Sequence, residues 1–274
     1  MAEKNGKKQR VDVNSTRATE KGLKGLFEIA LRKFSVATFM LSLIPIYFLG
    51  AIIVGISATP AIYFFKFISD ISSGWAPILQ YSSMGSALFI SYFLYGISLV
   101  FVTPFFNKIL PFKIKPFRGP YYSFQSVPWY VHNAMIYLVR YTFLEFITPT
   151  PLNVLFYKMM GMKIGKGVHI NTTNISDAGL IELGDKVTIG GSAHIICHYA
   201  AKGYLVIEPV VIKNGSTLGL KSTIMGDVVI GEKSIIAPHE VIYPKSRLPK
   251  GYRKDKQSKQ TMENLPIPEK IEKN

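Results

Sequence analysis

The sequence predicts a mainly β protein, a parallel β-helix, that follows a pair of membrane-spanning helices. Two patterns in the chain predict this fold class. An aliphatic residue recurs at every sixth position from Val206 to Ile242, and two long stretches before residue 107 contain no charged residue. A strict period of six fits neither an α-helix, which has about 3.6 residues per turn, nor a single amphipathic strand, which has a period of about two. Hexapeptide repetition is typical of a parallel β-helix, in which each hexapeptide forms one short strand and one corner.

The composition limits the classes of function. The chain has 274 residues, a net charge of +15 and one cysteine, which excludes an internal disulfide, and it has no CxxC zinc spacing. The mean hydropathy is positive as well. A basic chain can bind a nucleic acid or an anionic membrane surface, and no recognised nucleic-acid motif occurs, so we expect a lipid bilayer and no nucleic acid. Hydride transfer and nucleotide hydrolysis are not supported, because no GxGxxG or P-loop pattern occurs.

The N-terminal arm, residues 1–33, is polar and basic. Its first part has almost no aromatic or aliphatic content, so we expect disorder there. From Gly22 to Lys33 apolar residues recur at helical spacing, which predicts a basic amphipathic helix that leads onto the membrane surface. We do not expect a cleaved signal peptide, because the leader is too long and the apolar stretch after it is too long and too apolar.

Residues 34–106 are expected to form a transmembrane helical hairpin. The uncharged stretches 34–65 and 77–106 each exceed the roughly 20 residues that cross a bilayer. Basic residues are frequent on both flanks of the pair and rare in the connector between them. The positive-inside bias therefore places both termini and the β-helix in the cytoplasm, at an expected bacterial inner membrane. The alternative is a buried helical hairpin of a soluble protein.

Residues 107–160 are expected to form a juxtamembrane segment, which several prolines interrupt. Within it, residues 127–146 are predicted to form an amphipathic helix, for which a short re-entrant span is the alternative. Four aromatic residues are expected to anchor this helix at the lipid headgroups: Trp129, Tyr130, Tyr137 and Tyr141. Residues 152–160 are predicted to form one more short helix before the hexapeptides begin.

The hexapeptide region, residues 161–251, has two interruptions of its period. The first predicts a bulge at residues 175–178. The second and larger one predicts a loop that leaves a corner of the coil at residues 197–204. Because loops carry function more often than the scaffold they leave, chemistry is expected at the second interruption. The basic tail, residues 252–274, is expected to be disordered.

The hexapeptide region resembles the hexapeptide-repeat acyltransferases, a family of left-handed parallel β-helices, and the resemblance covers about a third of the chain. Residues 160–166 and 169–177 are similar to the C-terminal modules of poly-amino-acid synthetases, in which hexapeptide segments follow membrane helices. The resemblance implies a left-handed coil, although the general crossover rule favours the opposite hand. It also implies a homotrimer with its sites between subunits, acetyl-CoA as co-substrate and no metal.

His198, in the larger interruption, is the catalytic residue that the resemblance implies. A histidine at the matching place acts in this family as a general base towards an acceptor hydroxyl or amine. From the residue type alone, a histidine that only packs or hydrogen-bonds in a loop is the simpler reading, and no orienting partner is identified. Its neighbour Cys197 is expected to be buried and inert, because adjacent residues of an extended strand point to opposite faces.

Three further histidines suggest other roles. His169 and His194 occupy the same slot of their hexapeptides, and a branch with this fold, the γ-class carbonic anhydrases, holds zinc with histidines at a trimer interface. The spacing from His194 to His198 is one residue shorter than in that branch, so no metal is expected. His239 is expected at a corner of the coil.

Donor binding is also implied by the resemblance. The pantetheine arm of coenzyme A lies in this family in a groove between neighbouring prisms. The matching backbone amides are those of Gly219, Leu220 and Ala237, which can polarise a thioester carbonyl. The matching cations for the phosphates are Lys221, Lys245 and Arg247, and the alternative is that these are solvated surface charges.

These observations support three functions for the chain. The first is a membrane-anchored acyltransferase that moves an acetyl group from acetyl-CoA to a hydroxyl of a glycan or lipid-linked acceptor. The second is an acyltransferase that forms an amide on an amine acceptor. The third is a trimeric membrane scaffold without catalytic activity.

Overall fold

The computed structural model describes residues 17–18, 21–121 and 123–254. The disorder expected in the first residues of the arm and in the tail after Lys254 concerns residues outside these ranges. Five α-helices lie within them: α1 Gly22–Lys33, α2 Ser35–Ile71, α3 Pro77–Ile109, α4 Val127–Thr142 and α5 Pro151–Met159. The first of these coincides with the predicted amphipathic helix.

Helices α2 and α3 are long and apolar enough to cross a membrane, with candidate spans at Met40–Gly74 and Pro77–Ile109. They pack side by side, and Ser91 Oγ donates a hydrogen bond to Ala61 O across the pair at 3.0 Å. Large apolar side chains on both helices remain exposed, whereas the core helix of a soluble protein buries them. Helix α2 continues through both of its prolines.

Helix α4 packs between the long helices and the hexapeptide region, with Val131, Ile136 and Val139 buried. Trp129 and Tyr137, which we expected at the lipid headgroups, instead hydrogen-bond to Asp177 and Ser176. At a membrane surface, water or lipid headgroups would supply the hydrogen-bond partners of these two side chains. Here the protein supplies them, through Asp177 and Ser176. Tyr141 is exposed.

The hexapeptides form three parallel sheets, and successive strands enter them in rotation. The first sheet contains β2 Lys163–Ile164, β4 Ile181–Leu183, β9 Val210–Ile212, β12 Val228–Ile230 and β15 Arg247–Leu248. The second contains β3 His169–Ile170, β5 Thr188–Ile189, β10 Thr217–Leu218 and β13 Ile235–Ile236. The third contains β6 His194–Ile195, β11 Thr223–Ile224 and β14 Val241–Ile242. This rotation is the strand order of a three-sided parallel β-helix.

The aliphatic residue of each hexapeptide is buried between the sheets, as the period of six predicts. The buried series includes Ile170, Leu183, Ile189, Ile195, Ile212, Leu218, Ile224, Ile230 and Ile236. Glycine is needed where the corners stack tightly, since a Cβ on Gly219 would lie 2.5 Å from Pro238 N in the next coil. Val206 was wrongly counted in this series, because it lies in strand β8 (Tyr204–Ile207), which is outside the parallel sheets.

The first interruption is a short 3-10 turn, Ala178–Leu180. Ile175, just before it, keeps its place in the coil through a parallel bridge to Ile195. Asp177, which lies between Ile175 and this turn, has a left-handed backbone with φ 59°. The extra residues are therefore absorbed at a corner, and the neighbouring strands stay in register.

The second interruption is a β-hairpin where we expected an open loop. Strands β7 His198–Ala201 and β8 Tyr204–Ile207 pair antiparallel. Lys202 and Gly203 join them with φ of 53° and 80°, which are the two positive values of a type I′ turn. Strand β1 Phe117–Gly119, from the juxtamembrane segment, adds to the free side of β8. Backbone pairing therefore fixes the hairpin to the segment that follows α3.

Candidate active site

Polar residues gather at the corner between the third and first sheets. We call this corner the His198 edge; it comprises residues 176–177, 196–198, 225–227 and 243–246. Its coils stack closely, since a Cβ on Gly226 would lie 2.4 Å from Cys197 O. The hairpin begins at this edge, so the side chain at its base is fixed by both the coil and the hairpin.

The centre of the His198 edge is a histidine–carboxylate pair. His198 Nδ1 lies 2.6 Å from Asp177 Oδ2. The Asp177 side chain is fully buried, whereas that of His198 is 25% exposed. An ionised carboxylate can only accept hydrogen bonds, so His198 donates from Nδ1, and when its ring is neutral Nε2 carries the lone pair. This is the tautomer that a general base needs.

Three further donors hold the Asp177 carboxylate. Trp129 Nε1 and Asn133 Nδ2 donate to Oδ1 at 2.8 and 2.7 Å, and the Cys197 amide donates to Oδ2 at 2.9 Å. Burial raises the pKa of Asp177, but the hydrogen bonds and the charge of His198 outweigh it, so the pKa lies below its ordinary value. The carboxylate is therefore ionised at neutral pH although it is buried.

Helix α4 positions both members of the pair. Asn133 Oδ1 accepts from the Asp177 amide at 2.9 Å, so its side-chain amide holds the backbone and the carboxylate of Asp177 together. The Trp129 ring lies edge-on to the His198 ring, with 4.9 Å between centroids. The orienting partner that the sequence did not reveal is thus Asp177, and two residues of α4 support it.

Cys197 is fully buried, and its burial raises the pKa of the thiol well above the ordinary value. A thiol in such surroundings is a poor nucleophile, which agrees with the inert cysteine that we expected.

The remaining histidines are dispersed. His194 is half-buried on β6, and burial, with the charges of Arg140 and His198, lowers its pKa. His169 lies on the second sheet and His239 at an exposed corner, so neither meets His194. Among the residues that the structure describes, no three His, Cys, Asp or Glu side chains are grouped closely enough to hold a metal ion.

The residues expected to bind the donor lie at two different corners. Gly219, Leu220, Lys221 and Ala237 lie at the corner between the second and third sheets, which we call the Gly219 edge (residues 190–193, 219–222 and 237–240). Lys245 lies at the His198 edge, and Arg247 begins the strand that follows it. Within one chain, the width of the third sheet separates the two groups.

Two of the three amides expected at the thioester are already hydrogen-bonded. Gly219 N donates to Ile236 O at 2.9 Å, and Ala237 N donates to a carboxylate oxygen of Glu240 at 2.8 Å. The Leu220 amide has no partner in the described ranges, so it is the amide most suited to the role of oxyanion donor.

The expected phosphate-binding cations also differ from one another. Arg247 is paired with Asp227 through both the side chain and the backbone carbonyl of Asp227. Lys221 and Lys245 are exposed, and neither forms an ion pair within residues 21–254 as described. The two lysines are thus more available to a phosphate than Arg247.

Comparison with known proteins finds distant similarity. No family model matches the chain. Over 164 residues, or 60% of its length, the chain is 20% identical to the delta-poly-L-ornithine synthetase of Acinetobacter baumannii (strain AB307-0294), and the match spans 12% of that much longer protein.

Solved structures of acetyl- and acyltransferases are similar to the chain as well. A hexapeptide-repeat acetyltransferase from Vibrio cholerae O1 biovar eltor, in complex with acetyl-CoA, is 14% identical, with 46% of this chain and 82% of that chain covered and a TM-score of 0.35. Serine acetyltransferase of Neisseria gonorrhoeae, in complex with serine, is 13% identical, with 84% and 79% covered and a TM-score of 0.33. A mutant N-acyltransferase from Bacillus cereus, in complex with dTDP and coenzyme A, is 14% identical, with 42% and 97% covered and a TM-score of 0.24. All three scores lie below 0.5, so the fold of this chain rests on its own strand topology.

Proposed function

We propose that the protein is a membrane-anchored acyltransferase that transfers an acetyl group from acetyl-CoA to a hydroxyl of a glycan or lipid-linked acceptor. The observation that supports this most strongly is the buried Asp177 carboxylate 2.6 Å from His198 Nδ1, at a corner of a coil of hexapeptides. The pair leaves Nε2 of a partly exposed imidazole free to take a proton. The similarity to acetyl- and acyltransferases agrees with this chemistry.

His198 is the general base of the proposed reaction. Its Nε2 takes the proton of the acceptor hydroxyl as the oxygen attacks the carbonyl carbon of the thioester. Asp177 stabilises the imidazolium that forms, because the carboxylate accepts the Nδ1 hydrogen throughout. When the carbon–sulfur bond breaks, His198 returns the proton to the sulfur of coenzyme A, and the products are an acetyl ester and a free thiol.

The donor lies between two copies of the chain in this proposal. A homotrimer brings the Gly219 edge of one copy against the His198 edge of the next, so the Leu220 amide can face the thioester that His198 serves. The exposed apolar side chains of Leu220 and Tyr243, on either side of the third sheet, support such a contact. Lys221 and Lys245 then meet the phosphates of coenzyme A, with Arg247 nearby.

In this proposal the two long helices anchor the site at a membrane. If α2 and α3 cross the bilayer as an antiparallel pair, the segments on both flanks lie on one side, and the basic flanks favour the cytoplasm for that side. There His198 meets acetyl-CoA from the cytoplasm and an acceptor held at the bilayer surface. The excess of basic residues also suits a bilayer with anionic lipids, such as a bacterial inner membrane.

An amine acceptor is the second candidate, and the similarity to a poly-ornithine synthetase favours it. The same base can deprotonate an ammonium group or an amine as it attacks the thioester. A third reading, a membrane scaffold, needs no donor at all.

The experiment that separates these functions uses the purified protein in lipid nanodiscs. It is given acetyl-CoA and a bacterial polar lipid extract, and release of the coenzyme A thiol is followed. We expect thiol release and an acetylated product that mild alkali cleaves, since esters are labile to alkali and amides are not. An alkali-stable product would support the amine acceptor. Failure to bind coenzyme A in a titration, together with no thiol release, would support the scaffold.

A further inference from the structure

A cavity of about 380 Å³ lies between α2 and α4. Apolar side chains line most of it, among them Ile46, Leu49 and Ile53 from α2 and Met135 and Leu138 from α4. The volume lies within the range of about 300–1,000 Å³ that is usual for ligand pockets. An apolar cavity of this size, with one wall on a helix long enough to cross a bilayer, is suited to a hydrocarbon chain.

The cavity is open to the region that lipid would occupy. Tyr47, which lines it, is 70% exposed, and Phe48 beside it is 67% exposed. If α2 crosses the bilayer, these side chains face acyl chains, and a lipid chain can enter the cavity sideways without meeting water.

The same cavity reaches towards the candidate active site. Tyr137 lines it, and the Tyr137 hydroxyl lies 3.0 Å from Ser176 Oγ. Ser176 directly precedes Asp177, which contacts His198. Since neighbouring Cα atoms are about 3.8 Å apart, this path places the Tyr137 hydroxyl on the order of 10 Å from the imidazole. A head group attached to a chain in the cavity can span that distance.

One cation, Arg140, lies next to the cavity on α4 without lining it. The Arg140 guanidinium lies 5.1 Å from the ring centre of Tyr141, which lines the cavity. Arg140 Nε is buried and has no hydrogen-bond partner in the part of the chain that the structure describes. Arg140 Nη2 donates to Asn174 Oδ1 of the coil, so this guanidinium joins α4 to the coil beside the cavity.

We infer that this cavity holds the hydrocarbon chain of the acceptor, and that the acceptor is therefore a lipid-linked molecule and not a free glycan. The inference rests on the proposed acyltransferase function. It assigns α2 a second role besides anchoring, since α2 then forms one wall of the acceptor site.

Two glycines of α2 provide a matched pair of variants. Gly50 lines the cavity, whereas Gly55 does not, and a Cβ at either position meets nothing within 4 Å. Gly50→Leu therefore fills part of the cavity without a clash with the backbone, and Gly55→Leu adds the same side chain to an exposed part of the same helix. Both changes favour the helix to a similar degree.

The probe is a hexadecyl maltoside with a photoactivatable diazirine in its chain, added to the full-length protein in nanodiscs. We expect cross-links at α2 and α4 residues of the cavity, such as Ile46 and Leu138, and competition by unlabelled hexadecyl maltoside. Gly50→Leu should weaken this labelling about fifteenfold, because it displaces roughly two methylene groups of the chain, each contributing about fourfold in affinity. Gly55→Leu should label like the wild-type protein.

Labelling that spreads evenly over α2 and α3 and does not differ between wild type and Gly50→Leu would overturn the inference, because it would mean contact with bulk lipid only. The proposed function is tested separately by His198→Ala, which should leave the labelling unchanged. Labelling confined to the cavity without any thiol release would keep the lipid site and reject the acyltransferase.

Discussion

Asp177 determines the geometry of the candidate site at the scale of single residues. It accepts hydrogen bonds from His198, from the Cys197 amide and from two side chains of α4, so it links the coil, the hairpin and the helix. A buried carboxylate with four donors is strongly fixed, and removal of its charge leaves those donors without an ionised partner. In the proposed reaction, its role is to orient His198 and to stabilise the protonated imidazole.

Asp177→Asn tests this role without a change of shape. Asparagine tolerates the left-handed backbone at this position, so the corner should fold as before. We expect acetyl transfer to fall about a hundredfold or more, because the amide no longer favours the tautomer with a free Nε2. The fall should appear in kcat, with KM for acetyl-CoA nearly unchanged.

Asp185→Asn is the matched control, since the side chain of Asp185 accepts a hydrogen bond from the Lys166 amide at another corner, away from His198. Equal losses of activity in both variants would mean that the Asp177 variant acts through general destabilisation of the coil.

His198 was predicted from the sequence as the candidate base, whereas its partner Asp177 was not. This histidine follows the point at which the period of six is interrupted, and such an interruption can be recognised in the sequence alone. Asp177 lies inside the other interruption, where the extra residues hide which positions stack. A clue appears only when Ile175 and Ile195 are known to be neighbours in successive coils. Asp177 follows Ile175 at the same spacing as Cys197 follows Ile195, so Asp177 lies next to the residue before His198. Asn133 and Trp129 carry no periodic signal of their contact with the coil.

At the scale of elements, the hairpin β7–β8 and helix α4 together position the site. The hairpin begins at His198, and its outer strand pairs with β1, so its position depends on a segment that precedes α4. The sequence predicted α4 as an amphipathic helix at a membrane surface. It could not show that the other face of α4 lies against the coil, because amphipathicity reports that a face is buried and not what covers it.

Gly203→Val tests whether the hairpin holds His198 in place. Gly203 has φ 80°, a conformation that costs a residue with a Cβ about 1–2 kcal/mol. We expect the amides of β8 to exchange with solvent about tenfold faster, and acetyl transfer to fall, while exchange in the three parallel sheets stays unchanged.

Lys202→Asn is the control for the hairpin, because asparagine suits the positive φ of the preceding position. Faster exchange throughout the coil in the Gly203 variant would contradict the local role of the turn.

At the scale of the whole molecule, the long helices and the coil are joined through a buried histidine. His132 Nδ1 on α4 lies 3.0 Å from Asn107 Oδ1 on α3, and its Nε2 accepts a hydrogen bond from the Gly179 amide of the coil. Burial lowers the pKa of His132 to about 4, a nearby Lys113 charge adds to this, and Asp177 opposes it. The histidine is therefore neutral at physiological pH, as both of its contacts require.

This junction predicts acid sensitivity. In the unfolded chain, His132 binds a proton as the pH falls below the ordinary histidine pKa of 6.5. In the folded chain, it binds that proton only near pH 4. Stability should thus fall as the pH drops through that window, by up to about 3 kcal/mol. Thermal unfolding midpoints between pH 7 and 4 measure this.

His132→Gln should remove most of this slope, since glutamine does not titrate. Asp177 contributes only at lower pH, because its pKa lies below the ordinary value of 3.8. An unchanged slope in the glutamine variant would contradict the role of His132.

The orientation in the membrane can be tested with cysteines, because the single native cysteine is buried. Ser73→Cys places a thiol in the exposed connector between α2 and α3, and Lys202→Cys places one in the exposed turn of the hairpin. In intact bacterial cells, a membrane-impermeant maleimide should label position 73 and should label position 202 only after the cells are opened. Labelling of both positions in intact cells would contradict the proposed topology.

The length and apolar character of the two long helices were visible in the sequence, whereas their packing against α4 was not.

The central claim is that His198, held by Asp177, is the base of an acyl transfer from acetyl-CoA. The most direct measurement is coenzyme A thiol release by the protein in nanodiscs with a polar lipid extract, compared between wild type, His198→Ala and His169→Ala. His169 is an exposed histidine of the second sheet and provides the matched control. We predict release by wild type and by the His169 variant, and a loss of at least about a hundredfold in the His198 variant with unchanged thermal stability. Near-wild-type release by His198→Ala would contradict the claim.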